Sequence, residues 1–129
     1  MATHGDPLRV LVVDDEEELV HTLVERLDIR GYDADGVTNG HKALELIASS
    51  HYDVVLLDVK MPGLSGLQVM QTIKEKWPGI EVILLTGHGS ANDAEEGMEL
   101  GAFDYVMKPV RIENLLKILL AAVGREEGA

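Results

Sequence analysis

The apolar positions of this chain fall into short solid runs and longer periodic stretches. The most solid run is Val54 to Leu57, inside Tyr52-Asp53-Val54-Val55-Leu56-Leu57-Asp58. A strand with one wet face alternates apolar and polar residues. An unbroken run fits a strand buried on both faces, as in a parallel sheet covered by helices. Leu8–Val13, interrupted only by Arg9, and Ile80–Leu85 have the same character and predict two more central strands. Tyr32–Val37 is more polar, with Asp33 and Asp35 alternating with Ala34 and Val37, which suits an edge strand. Phe103–Met107 predicts a short last strand.

Between these runs the spacing becomes helical. Leu19, Leu23 and Leu27, with Val20 and Val24, predict a helix from about Glu16 to Arg30, stopped by Gly31 as a C-cap glycine. Asn39 is an N-cap for a second helix with Ala43, Leu44, Ile47 and Ala48 on its inner face. Ser65 and Gln68 form a capping box. The helix it opens points Leu67, Met70, Ile73 and Trp77 inward and closes at Pro78-Gly79. Ser90 is expected to cap a fourth, acidic helix running to Gly101. A fifth, from Arg111, carries Leu115, Leu116, Leu119, Leu120 and Val123.

Five strands each followed by one helix call for a parallel sheet with right-handed crossovers and helices on both faces. The polar second strand belongs at an edge and the strands at 8, 52 and 80 at the centre. Order 2-1-3-4-5 satisfies both, giving an α/β, flavodoxin-like, doubly wound (βα)5 three-layer sandwich. With 129 residues the chain holds one domain. Residues 1–7 read as a loose tail, 8–124 as the domain, and 125–129 as a polar tail or domain edge.

Composition narrows the classes. Hydrophobic residues make up 46 %, which favours a globular protein. No apolar run approaches the ~20 residues of a membrane span, and the start, MATHGDPLRV, lacks a signal-peptide pattern. A cytoplasmic, non-membrane protein is expected. Cysteine is absent, which excludes disulfides and thiolate chemistry. A net charge of −12 disfavours direct nucleic-acid binding. That charge suits solubility, and part of it suits Mg²⁺ or a basic partner. The few aromatics, Phe103, Trp77 and three tyrosines, argue against a flavin or base stacked between rings.

In a parallel sheet all carboxyl ends share one rim, so Asp14, Asp15, Asp58, Thr86 and Lys108 should converge there. Three neighbouring carboxylates repel one another, and a hard divalent cation such as Mg²⁺ relieves them. Lys108 adds an ammonium able to pair with Asp58 or with phosphate, and Thr86 a hydroxyl. These are the parts for in-line phosphoryl transfer to a carboxylate, giving an aspartyl phosphate at Asp58. Each residue alone has a plainer reading. Asp14 or Asp15 caps a helix, Asp58 caps a turn, Lys108 is a solvated lysine, Thr86 ends a strand and Tyr105 fills a surface. Gly87-His88-Gly89 lacks the order of a phosphate-binding glycine loop. His4, His21, His41 and His51 have no metal-ligand spacing. Their joint register is what raises the five rim residues above these readings.

VVDDE at 12–16, LLDVKMPGLSG at 56–66, LTGHG at 85–89 and YVMKP at 105–109 resemble the motifs of response regulator receiver domains of two-component signal transduction, the CheY-like superfamily. The resemblance runs from about Leu8 to Val123, with the motifs in family order and spacing. It implies Asp58 as phospho-acceptor from a histidine kinase's phosphohistidine, Asp15 as a direct Mg²⁺ ligand and Asp14 as one acting through water. It implies that Lys60 offers its backbone carbonyl to the metal, that Lys108 contacts the phosphate, and that Pro109 follows a cis peptide bond. Thr86 and Tyr105 match the switch hydroxyl and the aromatic that turns inward. The expected function is a phosphorylation-dependent switch, consumed and reset rather than turning over as an enzyme. It would reshape the surface of the fourth helix, last strand and last helix, around Glu95, Glu99, Asp104 and Arg111. The expected partners are a sensor histidine kinase or phosphotransfer protein and an unidentified downstream protein or output domain, with a phosphorylation-dependent dimer also allowed. Other readings of the residues are a constitutive docking module, a flavin or nucleotide binder, and a metal-dependent phosphatase acting on small molecules.

Overall fold

Ten elements alternate along the chain in a computed structural model that describes residues 7–87 and 91–124. They are β1 (Arg9–Val13), α1 (Glu17–Ile29), β2 (Asp33–Val37), α2 (Gly40–Ser49), β3 (Val54–Asp58), α3 (Gly66–Lys76), β4 (Glu81–Thr86), α4 (Ala91–Glu99), β5 (Asp104–Met107) and α5 (Ile112–Ala122). All neighbouring strands pair in parallel, in the order β2-β1-β3-β4-β5. The arrangement is the flavodoxin-like one, with the polar β2 at an edge. The readings for residues 1–6 and 125–129, for His88 and for Ser90 as a cap lie outside the described residues.

Strand alternation sorts the core into two layers. Leu11, Val13, Val55, Leu57, Val82 and Leu84 face one side, against Ala43 and Ile47 of α2 and Val69, Met70 and Ile73 of α3. Val10, Val12, Val54, Leu56, Ile83 and Leu85 face the other, against Val20, Leu23 and Leu27 of α1 and Ile112, Leu115 and Leu119 of α5. All five residues of β3 are buried, as its solid apolar run requires. Burying a Val, Leu or Ile side chain contributes ~1.5–3 kcal/mol, so these layers hold the strand ends in register.

Local chemistry fixes the helix starts. Asn39 Oδ1 accepts from Lys42 N at 2.8 Å, capping α2. Ser65 and Gln68 form the reciprocal capping box of α3, with Ser65 N donating to Gln68 Oε1 at 2.9 Å. One inner-face expectation is corrected, and one leucine of the fifth helix's apolar set turns outward. Ala48 is exposed, and Leu120 is 44 % exposed. The inward stripe of α5 runs through Leu115, Leu119 and Ala122, one helical face at i, i+4, i+7, and Leu120 lies about 100° off it. On α3 the buried set is Val69, Met70 and Ile73, with Leu67 and Trp77 half-buried.

Candidate functional site

Register brings the polar residues together. Val13 pairs with Leu57 across β1 and β3, so the next residues, Asp14 and Asp58, stand side by side at the strand ends. Asp58 in turn pairs with Leu85, and Thr86 with Met107, the residue before Lys108. Among the described residues, Asp14, Asp58 and Thr86 are the buried polar ones, whereas Asp15 is exposed. Carboxylate oxygens of Asp14, Asp15 and Asp58 lie within 4.8 Å of one another.

Glycine shapes the loop after β3. Gly66, the first residue of α3, packs directly on the backbone carbonyl of Asp58, and a Cβ there would collide with it. Its amide donates to Val59 O at 3.2 Å. The loop after β3 is thereby folded back tightly onto the strand it leaves. Lys60 N donates to Asp58 Oδ1 at 3.2 Å, while the Lys60 side chain turns away to Asp93 of α4 at 3.8 Å.

Lys108 is the positive centre. Its Nζ is 2.7 Å from Asp14 Oδ2, 3.3 Å from Glu16 Oε1 and 3.7 Å from Asp58 Oδ2. The buried Asp14 Oδ2 has the Lys108 ammonium as its charged partner and no other hydrogen-bond donor among the described residues. Asp14 Oδ1 accepts a hydrogen bond from Glu16 N at 2.9 Å. Asp14 thus closes the turn leading into α1, but the helix-capping reading is corrected: Glu16 holds the N-cap position and no side chain caps α1. The Lys108–Pro109 peptide bond is cis.

Burial is the main cause pushing the Asp58 carboxyl up to about 7, reinforced by the charge of Asp14 and opposed by Lys108 and the Lys60 amide. Burial also raises Asp14, against the pull of Lys108 and the Glu16 amide. For Lys108, burial acts to lower the pKa, but Asp14, Asp58 and Glu16 outweigh it and raise it. Close carboxylate oxygens, a buried oxygen whose one partner is an ammonium and an acid pushed up by burial and a neighbouring carboxylate are what a hard cation with oxygen ligands would satisfy. The residues fit Mg²⁺.

Thr86 is buried, and its Oγ1 makes a long hydrogen bond to Val106 O at 3.5 Å rather than to the carboxylates. Tyr105 is 42 % exposed and lines a cleft of ≈ 450 Å³ with Thr86, Gly87, Ala91, Ala94, Glu95, Met98 and Met107. It shares that cleft with Thr86, and none of the three carboxylates lines it. Two participants were missed in the sequence. Glu16 reads there only as the start of a helix, although it is the third acid of VVDDE. Asp93 carries no local signal for its contact with Lys60.

The family model for the response regulator receiver domain matches residues 10–120. Response regulator MprA of Mycolicibacterium vanbaalenii is 37 % identical over 119 residues, covering 92 % of this chain and 52 % of its own. Two-component response regulator PhoP of Pseudomonas aeruginosa is 35 % identical over 121 residues, covering 94 % and 54 %. The chain thus spans about half the length of the curated relatives it matches. A response regulator receiver domain protein from Clostridium thermocellum superposes with a TM-score of 0.87 at 34 % identity, over 93 % of this chain and 97 % of that one.

Proposed function

The chain belongs to the response regulator receiver domain family, and on that premise we propose that it works by reversible phosphorylation of Asp58. The observation that carries this reading is the convergence of Asp14, Asp15 and Asp58 with the Lys108 ammonium at one rim of the sheet. A carboxylate oxygen of Asp58 attacks the phosphorus of a phosphohistidine on a histidine kinase or phosphotransfer protein. A P–O bond forms, the P–N bond breaks and the imidazole leaves with the bonding pair. Asp14, Asp15 and Asp58, with the Lys60 carbonyl, would hold Mg²⁺. When bound, that ion supplies charge neutralisation for the oxygens of the transferring group. Lys108, already among the carboxylates, supplies a second positive charge for the phosphoryl oxygens.

The phosphoryl group then biases a two-state equilibrium. Thr86 Oγ1 gives up its long bond to Val106 O and turns to the phosphate. Tyr105 moves into the space beside Thr86, and the surface of α4, β5 and α5 changes for a downstream protein, an output domain or a second copy. The common cleft of Thr86 and Tyr105 supports this coupling. The domain is consumed and reset rather than acting as an enzyme on a separate substrate, and it works in the cytoplasm. No helix among the described residues is long and apolar enough to cross a membrane.

Intact mass after incubation with Mg²⁺ and acetyl phosphate tests the assignment. Wild type should gain one phosphoryl group that is lost with base, and Asp58→Asn should gain none. Equal labelling of both proteins would place the acceptor elsewhere. If neither is labelled and calorimetry finds no Mg²⁺ binding, the constitutive docking module becomes the better reading.

A further inference from the structure

We infer that Glu16 is a positioning residue that tethers the Lys108 ammonium in the resting state and must release it when a phosphoryl group is present. The inference rests on the phosphorylation reading above. Three observations support it independently of that reading.

First, the Lys108 ammonium is not centred on Asp58. It lies nearer Asp14, at 2.7 Å, and Glu16, at 3.3 Å, than Asp58, at 3.7 Å, and the Glu16 contact is aligned as a hydrogen bond. Second, Glu16 occupies the N-cap position of α1 but makes no side-chain capping bond. That position favours Ser, Thr, Asp or Asn, whose short side chains reach back to the helix amides. The longer Glu side chain extends instead to a lysine 92 residues away in sequence. Third, the Glu16 amide donates to Asp14 Oδ1 at 2.9 Å, so this one residue fixes a site carboxylate through its backbone and the site ammonium through its side chain.

The consequence is a competition. Asp14 is buried and fixed, while Glu16 is mostly exposed and has the freer side chain. An acyl phosphate on Asp58 presents new anionic oxygens, and the ammonium must leave the Glu16 carboxylate to meet them. Glu16 therefore sets how readily Lys108 engages the phosphoryl group. Removing its carboxylate should strengthen that engagement about three- to fivefold, the size of a partly exposed ion pair.

Beryllofluoride, a phosphoryl mimic, gives a readout free of turnover. Its affinity in the presence of Mg²⁺ should be measured by calorimetry for wild type, Glu16→Gln, Glu16→Asp and Lys108→Met, and for Lys108→Met combined with Glu16→Gln. The expected result is tighter binding to Glu16→Gln, with the same tightening for Glu16→Asp, which keeps the charge but lacks the reach. The gain should vanish where Lys108 is replaced. Unchanged affinity in Glu16→Gln overturns the inference. So does a gain in Glu16→Gln that Glu16→Asp lacks, because the residue would then act by charge alone. The Glu16→Asp arm decides the matter if Lys108→Met binds too weakly to measure. Wild type that binds no beryllofluoride, with Mg²⁺ bound, would instead strike at the phosphorylation reading itself.

Discussion

Lys108 Nζ sits 2.7 Å from Asp14 Oδ2, and Asp14 is wholly buried while the Lys108 side chain is 21 % exposed. The partner that keeps a buried carboxylate charged thus comes from the far end of the chain. Removing one partner of such a pair leaves an uncompensated charge, which costs ~3–5 kcal/mol in fully buried cases. Lys108→Met should destabilise the Mg²⁺-free protein by less, about 2 kcal/mol, because protonation offers the carboxylates partial relief. Urea unfolding at pH 8 measures it. Added Mg²⁺ should recover part of the loss, since an ion that binds only the folded state stabilises it by mass action. A Lys108→Met protein as stable as wild type without Mg²⁺ would contradict the pairing.

The pH dependence follows from Asp58. Its carboxyl is pushed up to about 7 by burial first and by Asp14 second, from an ordinary value of 3.8. Between those values the folded state holds a proton that the unfolded state has released. Stability contributed by this group therefore falls as pH rises through that window. Asp14, also raised, acts in the same sense, while the raised Lys108 titrates above the window. Without Mg²⁺, wild type should lose stability relative to Asp58→Asn as pH rises from about 4 to above 7. Saturating Mg²⁺ should abolish the difference. Parallel stability curves for the two metal-free proteins would remove the basis for the raised acid.

Gly66 offers a steric test. A methyl group there meets the carbonyl of Asp58, which is backbone and has no rotamer to escape into. Gly66→Ala should cost about 3 kcal/mol, at the upper end for overpacking. It should also weaken Mg²⁺ binding, because the collision displaces Asp58, one of the three clustered carboxylates. Denaturant melts and calorimetry together check both effects. A loss below about 0.5 kcal/mol, the scatter of surface substitutions, would show that the loop relaxes freely.

Much of this was legible in the sequence, for definite reasons. Val54–Leu57 fits a strand buried on both faces, the polar Tyr32–Val37 suits an edge, and order 2-1-3-4-5 satisfies both, as the sheet does. The rim residues were legible because each follows or ends an apolar run, and parallel pairing does the rest. Residue type misled where face mattered. Ala48 and Leu120 are apolar yet lie off the inward stripes of α2 and α5. The side-chain contacts of Glu16 with Lys108 and of Lys60 with Asp93 depend on rotamers and on loops meeting in space, and no local pattern announces them.

On the proposed mechanism, Thr86 separates the chemistry from its propagation. Its hydroxyl bonds Val106 O at 3.5 Å, long enough that losing it should cost less than about 1 kcal/mol of resting stability. Thr86→Ala should therefore fold, bind Mg²⁺ and take up a phosphoryl group from acetyl phosphate, since no Thr86 contact reaches the carboxylates. The response of Tyr105 should differ. In wild type, beryllofluoride should shift the ring resonances of this half-exposed tyrosine as it enters the cleft it shares with Thr86. In Thr86→Ala that shift should be largely lost, because nothing then draws the end of β4 toward the phosphoryl group. NMR of ring-labelled tyrosine distinguishes Tyr105 from Tyr32 and Tyr52 by a Tyr105→Phe control. An undiminished shift in Thr86→Ala would mean that the signal reaches β5 through Lys108 or the backbone rather than through the hydroxyl.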